Sequence, residues 1–247
     1  MPDSPDDLRD GAAAGRIHQG ERRQGKKRNR VGQFCDKLRE PCDCPFEIVC
    51  AEGVSMESVK ARIMLETEKE ITAGLTEGER FRYFLGRMQY LRYASGKENL
   101  LKSDCSGSVC LALLLATGCA VRVTADTLFR KFFTKDDDGK ADSIRAAFFI
   151  TNYDRPPDEN GRVYHENEVA HVCGICGDDV VLDCSPPRSR LRCLSAMARV
   201  YQGMDYRCRI RRLDRKALEE AARKGADLFG ADPEYKEYIR AVTEDKG

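Results

Sequence analysis

A cysteine lies where a polar segment of the chain meets its most apolar segment. Residues 102–108 are rich in Ser, Asp and Gly, and the apolar pattern predicts a buried helix over 105–117. Ser103 or Asp104 can cap the start of this helix, which puts Cys105 in its first turn. The unpaired N–H groups and the positive end of a helix favour an anion there. The sequence therefore predicts a nucleophilic thiolate at Cys105, whose polar neighbours argue against a cysteine that merely packs.

A thiolate nucleophile needs a histidine to move protons, and the chain contains three histidines. His18 lies in a polar N-terminal segment, and His165 lies in the polar loop 152–168. His171 begins an apolar segment that predicts a strand over 169–176. Because a strand holds a side chain more firmly than a loop does, His171 is the predicted base.

A third polar group is expected to hold the imidazole in place. Residues 177–179 predict a tight hairpin that returns the chain along a second strand. Antiparallel pairing across this hairpin brings Asp183 back toward His171. Cys105, His171 and Asp183 are therefore the predicted catalytic residues. Their predicted chemistry is nucleophilic hydrolysis of an amide, without a metal or a cofactor.

Cysteine is frequent in this chain, with 12 residues. A Cys-x-x-Cys pair at 173–176 would suit zinc, but residues three apart on a strand point to opposite faces, so the two sulfurs would diverge. A further group gives a weak zinc signal and consists of Cys35, Cys42, Cys44 and Cys50. We interpret this 35–50 group as free thiols, and the other cysteines apart from Cys105 as small side chains that pack.

Composition narrows the classes of protein that fit. Hydrophobic residues make up 41% of the 247 residues, which is enough for a core. The net charge of +1 argues against a dedicated nucleic-acid-binding protein. The chain lacks an apolar run of about 18 residues, so no membrane-spanning helix is expected. The polar N-terminus lacks the apolar segment of a secretory signal peptide, so we expect synthesis in a reducing cytoplasm.

The predicted elements run from helices to strands, which indicates an α+β fold. Helices are predicted over 55–73, 76–92, 105–117, 214–224 and 232–243, and strands over 144–151, 169–176, 179–184 and 206–212. Thr76 and Glu79 form a capping-box pattern at the start of the second helix. The predicted domains are a disordered basic and polar tail (1–33), a cysteine-containing segment with a helix (34–75), a catalytic domain (76–212) and a C-terminal helical extension (213–247).

The motifs resemble those of the NlpC/p-sixty family of cell-wall cysteine peptidases, over about residues 78–212. The resembling segments are Asp104-Cys105-Ser106-Gly107 before a long apolar helix, His171-Val172 at the start of a strand, a polar residue twelve positions later, and Tyr93-Ala94-Ser95-Gly96. The resemblance implies a papain-like NlpC-type fold, with N-terminal helices packed on an antiparallel sheet. The implied catalytic residues are Cys105, His171 and Asp183, and the implied substrate-binding residues are Tyr93, Asp104 and Ser106.

Family members cleave the peptide stems of peptidoglycan, commonly between D-γ-glutamate and a diamino acid. The resemblance therefore implies a peptidoglycan endopeptidase that acts on the cell wall after release. A phage lysin or tail-associated hydrolase fits this description, with phage tail or lysis proteins as partners. The order of Cys before His argues against the permuted acyltransferase relatives. The chain departs from the family at Ser95, Lys97 and Cys173, where Trp, Gly and either Gly or Ala are usual.

Three other functions fit parts of the sequence. The 35–50 cysteines could form a zinc-dependent interaction module, which elemental analysis would detect. The same Cys-His-Asp set could serve acyl or amide transfer, as in a transglutaminase-like protein, and an amine-acceptor assay would show it. The domain could also bind cell wall without cleaving it, in which case the alkylation kinetics of Cys105 would reveal an unreactive thiol.

Overall fold

The computed structural model describes residues 71–99, 101–140, 142–157, 161–225 and 233–243, together with residues 228 and 231. The predicted disordered tail, the 35–50 cysteines and nearly all of the predicted helix 55–73 lie outside these residues. The predictions for those segments, and the predicted domain boundaries, therefore stay predictions.

Helix α1 covers Glu77–Arg87 and begins with the predicted capping box. The hydroxyl of Thr76 accepts from the backbone N–H of Glu79 at 3.3 Å, and the carboxylate of Glu79 accepts from the backbone N–H of Thr76 at 2.9 Å. The helix ends before the predicted residue 92. The chain leaves helical geometry at Met88, and Tyr90 then has a φ of 69°.

Helix α2 covers Cys105–Thr117, the range predicted for the buried helix. Asp104 caps its first turn, and Gly118 ends it in the left-handed conformation with a φ of 71°. The helix is apolar on every side, so it has to be covered all round. It packs against α1 and against the central sheet.

The sequence patterns did not predict two helical segments. A short helix, α3, covers Ala125–Thr127 and continues as a π-helix over Leu128–Phe132. Helix α4 covers Leu194–Gly203, in a stretch that had no assigned element. Its sequence signal is the helical spacing of Leu194, Met197 and Tyr201, which pack in one cluster, while Val200 is exposed. The two C-terminal helices are confirmed as α5 (Arg215–Lys224) and α6 (Pro233–Thr243).

The strands of the described residues form two sheets. They are β1 (Arg92–Tyr93), β2 (Lys102–Ser103), β3 (Lys135–Asp136), β4 (Arg145–Thr151), β5 (Val169–Gly177), β6 (Val180–Asp183), β7 (Arg190–Cys193) and β8 (Tyr206–Arg212). β1 and β2 form a short parallel pair, and the other six strands form an antiparallel sheet in the order β3-β8-β4-β5-β6-β7. The mixed helix and antiparallel-sheet architecture confirms the predicted α+β class.

The six-stranded sheet separates two apolar clusters, because successive residues of a strand point to opposite faces. Residues of α1 and α2 pack with Phe148 and Val172 on one face. Phe149 and Leu194 belong to the cluster on the other face, where α4 lies. Cys173 falls in the second cluster and Cys176 in the first, which confirms that their side chains diverge. None of the helices that the structure describes is long and apolar enough to cross a membrane.

Candidate active site

Cys105 is the first residue of α2, and its helix start is tightly built. Oδ1 of Asp104 accepts from the backbone N–H of Gly107 at 2.6 Å. Gly107 sits so close to the carbonyl oxygen of Lys97 and the hydroxyl of Ser103 that a Cβ at this position would overlap both. The loop before the helix is therefore held against its first turn, while the Cys105 side chain is only half-buried.

The buried side chain of Arg122 forms an ion pair with Asp104, the residue that caps α2. Nη2 of Arg122 lies 2.9 Å from Oδ2 of Asp104, and Nε of the same guanidinium lies 2.5 Å from Oε2 of Glu98. Its Nη1 donates to the hydroxyl of Ser106 at 3.1 Å. Sequence reasoning missed this arginine. The available signal was a charged residue between two valines, Val121 and Val123, in a segment that is otherwise apolar.

The predicted hairpin brings Asp183 to His171. Nε2 of His171 lies 2.9 Å from Oδ1 of Asp183, and both side chains are buried. The other carboxylate oxygen, Oδ2, accepts from the hydroxyl of Ser185 at 2.9 Å. The guanidinium of Arg192 approaches the same Oδ2 at 3.5 Å from a more exposed position. The carboxylate is thus fixed on both sides and can orient the imidazole.

A third side chain joins this pair, and it is Cys173. Its Sγ lies 3.3 Å from Nε2 of His171, and the residue is fully buried. The interpretation of Cys173 as a residue that merely packs is therefore incomplete. The reason is periodicity: Cys173 lies two positions after His171 on β5, so both side chains share a face. The spacing of His171 and Cys173 in the sequence already contained this signal.

The environment of His171 favours its protonated form. Burial is the largest influence and disfavours the charge, but the nearby thiol of Cys173 and hydrogen bonds with Asp183, Cys105 and Cys173 outweigh it. The pKa of His171 is therefore raised well above its usual range. Burial also favours the neutral form of Asp183, yet the hydrogen bond and charge of His171 lower the pKa of this carboxyl. Burial raises the pKa of the Cys173 thiol.

Cys105 and His171 line one cleft of about 710 Å³. Cys105 is near enough to His171 to contribute to the raised pKa of the imidazole. Tyr201, from α4, closes one side of the imidazole: the two rings are nearly parallel at 4°, with centroids 5.9 Å apart. Sequence reasoning missed Tyr201, because α4 itself was not predicted.

The three residues expected to bind substrate all line this cleft. Tyr93 contributes from β1, and its pKa is raised by burial and by the nearby Cys105. The carboxylate of Asp104 accepts from Gly107, from the backbone N–H of Gly96 at 2.7 Å and from Ser106 at 3.1 Å. These bonds show that Asp104 and Ser106 help to hold the start of α2. A role of Tyr93, Asp104 and Ser106 in substrate binding stays a prediction.

The structure also shows where His165 and the charged residues lie relative to the cleft. His165 lies on the exposed loop, with 75% of its side chain accessible, and does not line the cleft. Two cations at the cleft were not predicted, Lys131 and Arg162, and both are exposed. Among the described residues that line the cleft, Asp104 is the one carboxylate, and it is paired with Arg122. Arg162 is paired with Glu168 at 3.1 Å.

No protein-family model matches the chain, and no curated protein matches it significantly. Among the solved structures that match, NlpC2 from Trichomonas vaginalis is similar over 50% of this chain and 43% of its own, with 18% identity and a TM-score of 0.38. NlpC1 from Trichomonas vaginalis is similar over 56% of this chain and 44% of its own, with 17% identity and a TM-score of 0.39. This chain spans less than half the length of either protein, and the function proposed below rests on the residues of the site.

Proposed function

We propose that this chain is a thiol hydrolase that cleaves an amide bond in a peptide. Cys105 is the nucleophile, His171 transfers protons, and Asp183 orients His171. The observation that carries the proposal is that Cys105, at the start of a buried helix, lines the same cleft as His171, whose Nε2 contacts Asp183. The N–H groups at the start of a helix favour nearby negative charge, which suits the oxyanion that forms when Cys105 attacks.

The two nitrogens of His171 have separate tasks. Nε2 faces Asp183, so we infer that Nδ1 is the nitrogen that meets the Cys105 thiol. His171 takes the thiol proton, and the thiolate attacks the carbonyl carbon of the substrate. The backbone N–H of Cys105 is placed to donate to the oxyanion that forms. His171 then protonates the leaving amine and activates the water that hydrolyses the thioester.

The substrate class that we propose is a peptide with a free carboxylate beside the scissile bond. Lys131 and Arg162 line the cleft, where Arg162 also pairs with Glu168 at 3.1 Å, and Arg122 pairs with both Asp104 and Glu98. A peptide joined through the γ-carboxyl of D-glutamate keeps a free α-carboxylate beside the scissile bond, which such cations would bind. Together with the resemblance of the Cys and His motifs to the NlpC/p-sixty family, this supports peptide stems of peptidoglycan. The bond we propose is the one between D-γ-glutamate and the diamino acid, in a wall hydrolase of phage or bacterial origin.

Purified muropeptides analysed by mass spectrometry test the reaction. Cys105→Ala should abolish cleavage, because it removes the nucleophile while leaving a small side chain in the first turn. Cys119→Ala is the matched control, since Cys119 is also half-buried and lies just beyond the other end of α2. Cleavage by Cys105→Ala at the wild-type rate would refute the proposal, whatever the control does.

A second comparison tests the substrate class. Stems whose glutamate α-carboxylate is free should be cleaved faster than stems in which it is amidated. Arg162→Gln should raise KM for the free acid by about threefold, less than one full charged hydrogen bond, because Arg162 is shared with Glu168. Arg209→Gln removes an exposed arginine of β8 that does not line the cleft, and it should leave KM unchanged. Equal KM values for acid and amide stems would contradict the anionic-substrate assignment.

A further inference from the structure

We propose that His171, Cys173 and Asp183 form a zinc site, and that an ion bound there reversibly inactivates Cys105. The binding half of this proposal stands on the geometry of the three side chains. The inactivation half rests on the proposed function, because it concerns the His171 base of that reaction.

The three donor atoms are already close to zinc geometry. They are Nε2 of His171, Sγ of Cys173 and a carboxylate oxygen of Asp183, and all lie within 4.8 Å of one another. Two of the separations are 2.9 Å, from Nε2 to Oδ1, and 3.3 Å, from Nε2 to Sγ. Tetrahedral zinc with ordinary bond lengths needs about 3.3 Å and about 3.5 Å for these pairs. These two separations have to open by a few tenths of an ångström, and the third, between Sγ and the carboxylate oxygen, has to be brought from at most 4.8 Å to about 3.5 Å.

The pairing of two strands explains why these side chains converge. His171 and Cys173 are two residues apart on β5 and share one face of the sheet. Gly174 of β5 pairs with Leu182 of β6, so one further step of this register sets Asp183 opposite Cys173. The backbone thus holds all three donors on one face before any ion binds.

The chemistry of the donors favours zinc. One imidazole, one thiolate and one carboxylate are all ordinary zinc ligands, and the thiolate disfavours magnesium and calcium. A Zn²⁺ ion with one thiolate, one carboxylate and a neutral imidazole is electrically neutral. This suits a site in which Cys173 is fully buried and the exposed fraction of Asp183 is 2%. Three protein ligands leave one position of the ion for water from the cleft, which His171 lines.

Binding would change the task of His171. Zinc forms bonds to Sγ of Cys173, Nε2 of His171 and Oδ1 of Asp183, and it loses water ligands. The thiol proton of Cys173 passes to solvent. If both nitrogens of His171 carry a proton, the one on Nε2 also passes to solvent. If Nε2 alone carries a proton, that proton is exchanged for one on Nδ1. A neutral imidazole that is ligated through Nε2 carries its proton on Nδ1. With Nε2 on the ion, His171 can neither carry a second proton nor pass one to the leaving amine, so the proton transfer of the proposed reaction stops.

Cobalt(II) binding tests the site independently of catalysis. We would titrate the full-length Cys105→Ala protein, reduced and stripped with a chelator, and record the thiolate-to-cobalt charge-transfer absorption. A further Cys173→Ala change should remove one equivalent of this absorption, whereas a further Cys176→Ala change should retain it. Cys176 is the matched control because it is a buried cysteine on the opposite face of the same strand. The other cysteines give a background that all variants share.

The two halves of the proposal fail in different ways. Equal titrations for the Cys173→Ala and Cys176→Ala variants, with folding verified by circular dichroism, would overturn the zinc site.

In the otherwise wild-type chain, zinc should inhibit cleavage, and a chelator should restore it. Cys173→Ala should weaken zinc inhibition about tenfold or more, relative to its own metal-free rate. An unchanged inhibition constant would overturn the inactivation while leaving the spectroscopic result for the site intact. If Cys105 proves not to be catalytic, the cobalt titration still decides the metal site.

Discussion

Removal of the Arg122 guanidinium should destabilise the fold strongly, because two carboxylates depend on it. Arg122→Met keeps an apolar stem of similar length and removes the charge. Glu98, which is fully buried, loses an ion pair of 2.5 Å, and Asp104 loses one of 2.9 Å. Removing one partner of a buried ion pair costs about 3–5 kcal/mol, since the remaining charge stays in a poorly solvated place.

The two carboxylates should respond differently. Asp104 keeps hydrogen bonds from Gly107, Gly96 and Ser106, each worth about 1 kcal/mol. Glu98 is the less accessible of the two, so most of the penalty should arise there. The double variant Arg122→Met/Glu98→Gln also removes the charge of Glu98. It should therefore recover roughly half of the free energy of unfolding that Arg122→Met loses.

Urea unfolding followed by circular dichroism measures both effects. Arg122→Met should lower the free energy of unfolding by about 4 kcal/mol, and the double variant by about 2 kcal/mol. Arg209→Gln, at an exposed site on β8, should stay within about 0.5 kcal/mol of wild type. A loss below about 1 kcal/mol for Arg122→Met, or a double variant no more stable than the single one, would refute the reasoning.

Three further predictions concern packing, protonation and the orienting carboxylate. Gly107→Ala should lower both the free energy of unfolding and kcat, because the new Cβ would overlap the backbone of Lys97. As a control, Gly86→Ala has open space within helix α1 and should be neutral or stabilising by up to about 1 kcal/mol. Equal unfolding midpoints for the two variants would contradict this prediction. Burial raises the pKa of the Cys110 thiol from 9.0 to about 11. The unfolded chain therefore loses this proton first, and stability falls as pH rises between these values. Cys110→Ala should remove up to about 1.4 kcal/mol per pH unit of that slope, and parallel stability–pH curves for wild type and variant would count against it. Asp183→Ala should lower kcat roughly 100-fold, while loss of the exposed Arg192 in Arg192→Gln should have little effect; similar kcat values for the two variants would remove Asp183 from its orienting role.

Local patterns were sufficient for the elements that carry the predicted catalytic residues. The range of α2 and its cap at Asp104 followed from an apolar run preceded by a capping residue. The approach of Asp183 to His171 followed from a hairpin of two short strands. These features involve residues close in sequence, so a short window contains the interactions that decide them.

Other parts of the fold depended on partners far along the chain. β7 alternates poorly and is half-exposed, so it has no strong periodic signal. The apolar residues of α4 do recur at helical spacing, and this signal was not used. The sheet order places β8 next to β4 although more than fifty residues separate them in sequence. Such pairings are chosen by the packing of whole elements, which a periodicity analysis does not contain.

The sequence by itself determined that Cys105 would stand at a helix start and that a His–Asp pair would form across a hairpin. Both follow from capping and from strand periodicity, which act over a few residues. Only the tertiary structure decided that Arg122 neutralises the capping aspartate, that Cys173 joins the imidazole, and that two cations line the cleft. These depend on side chains brought together across the fold, where strand register and burial select the neighbours of each charge.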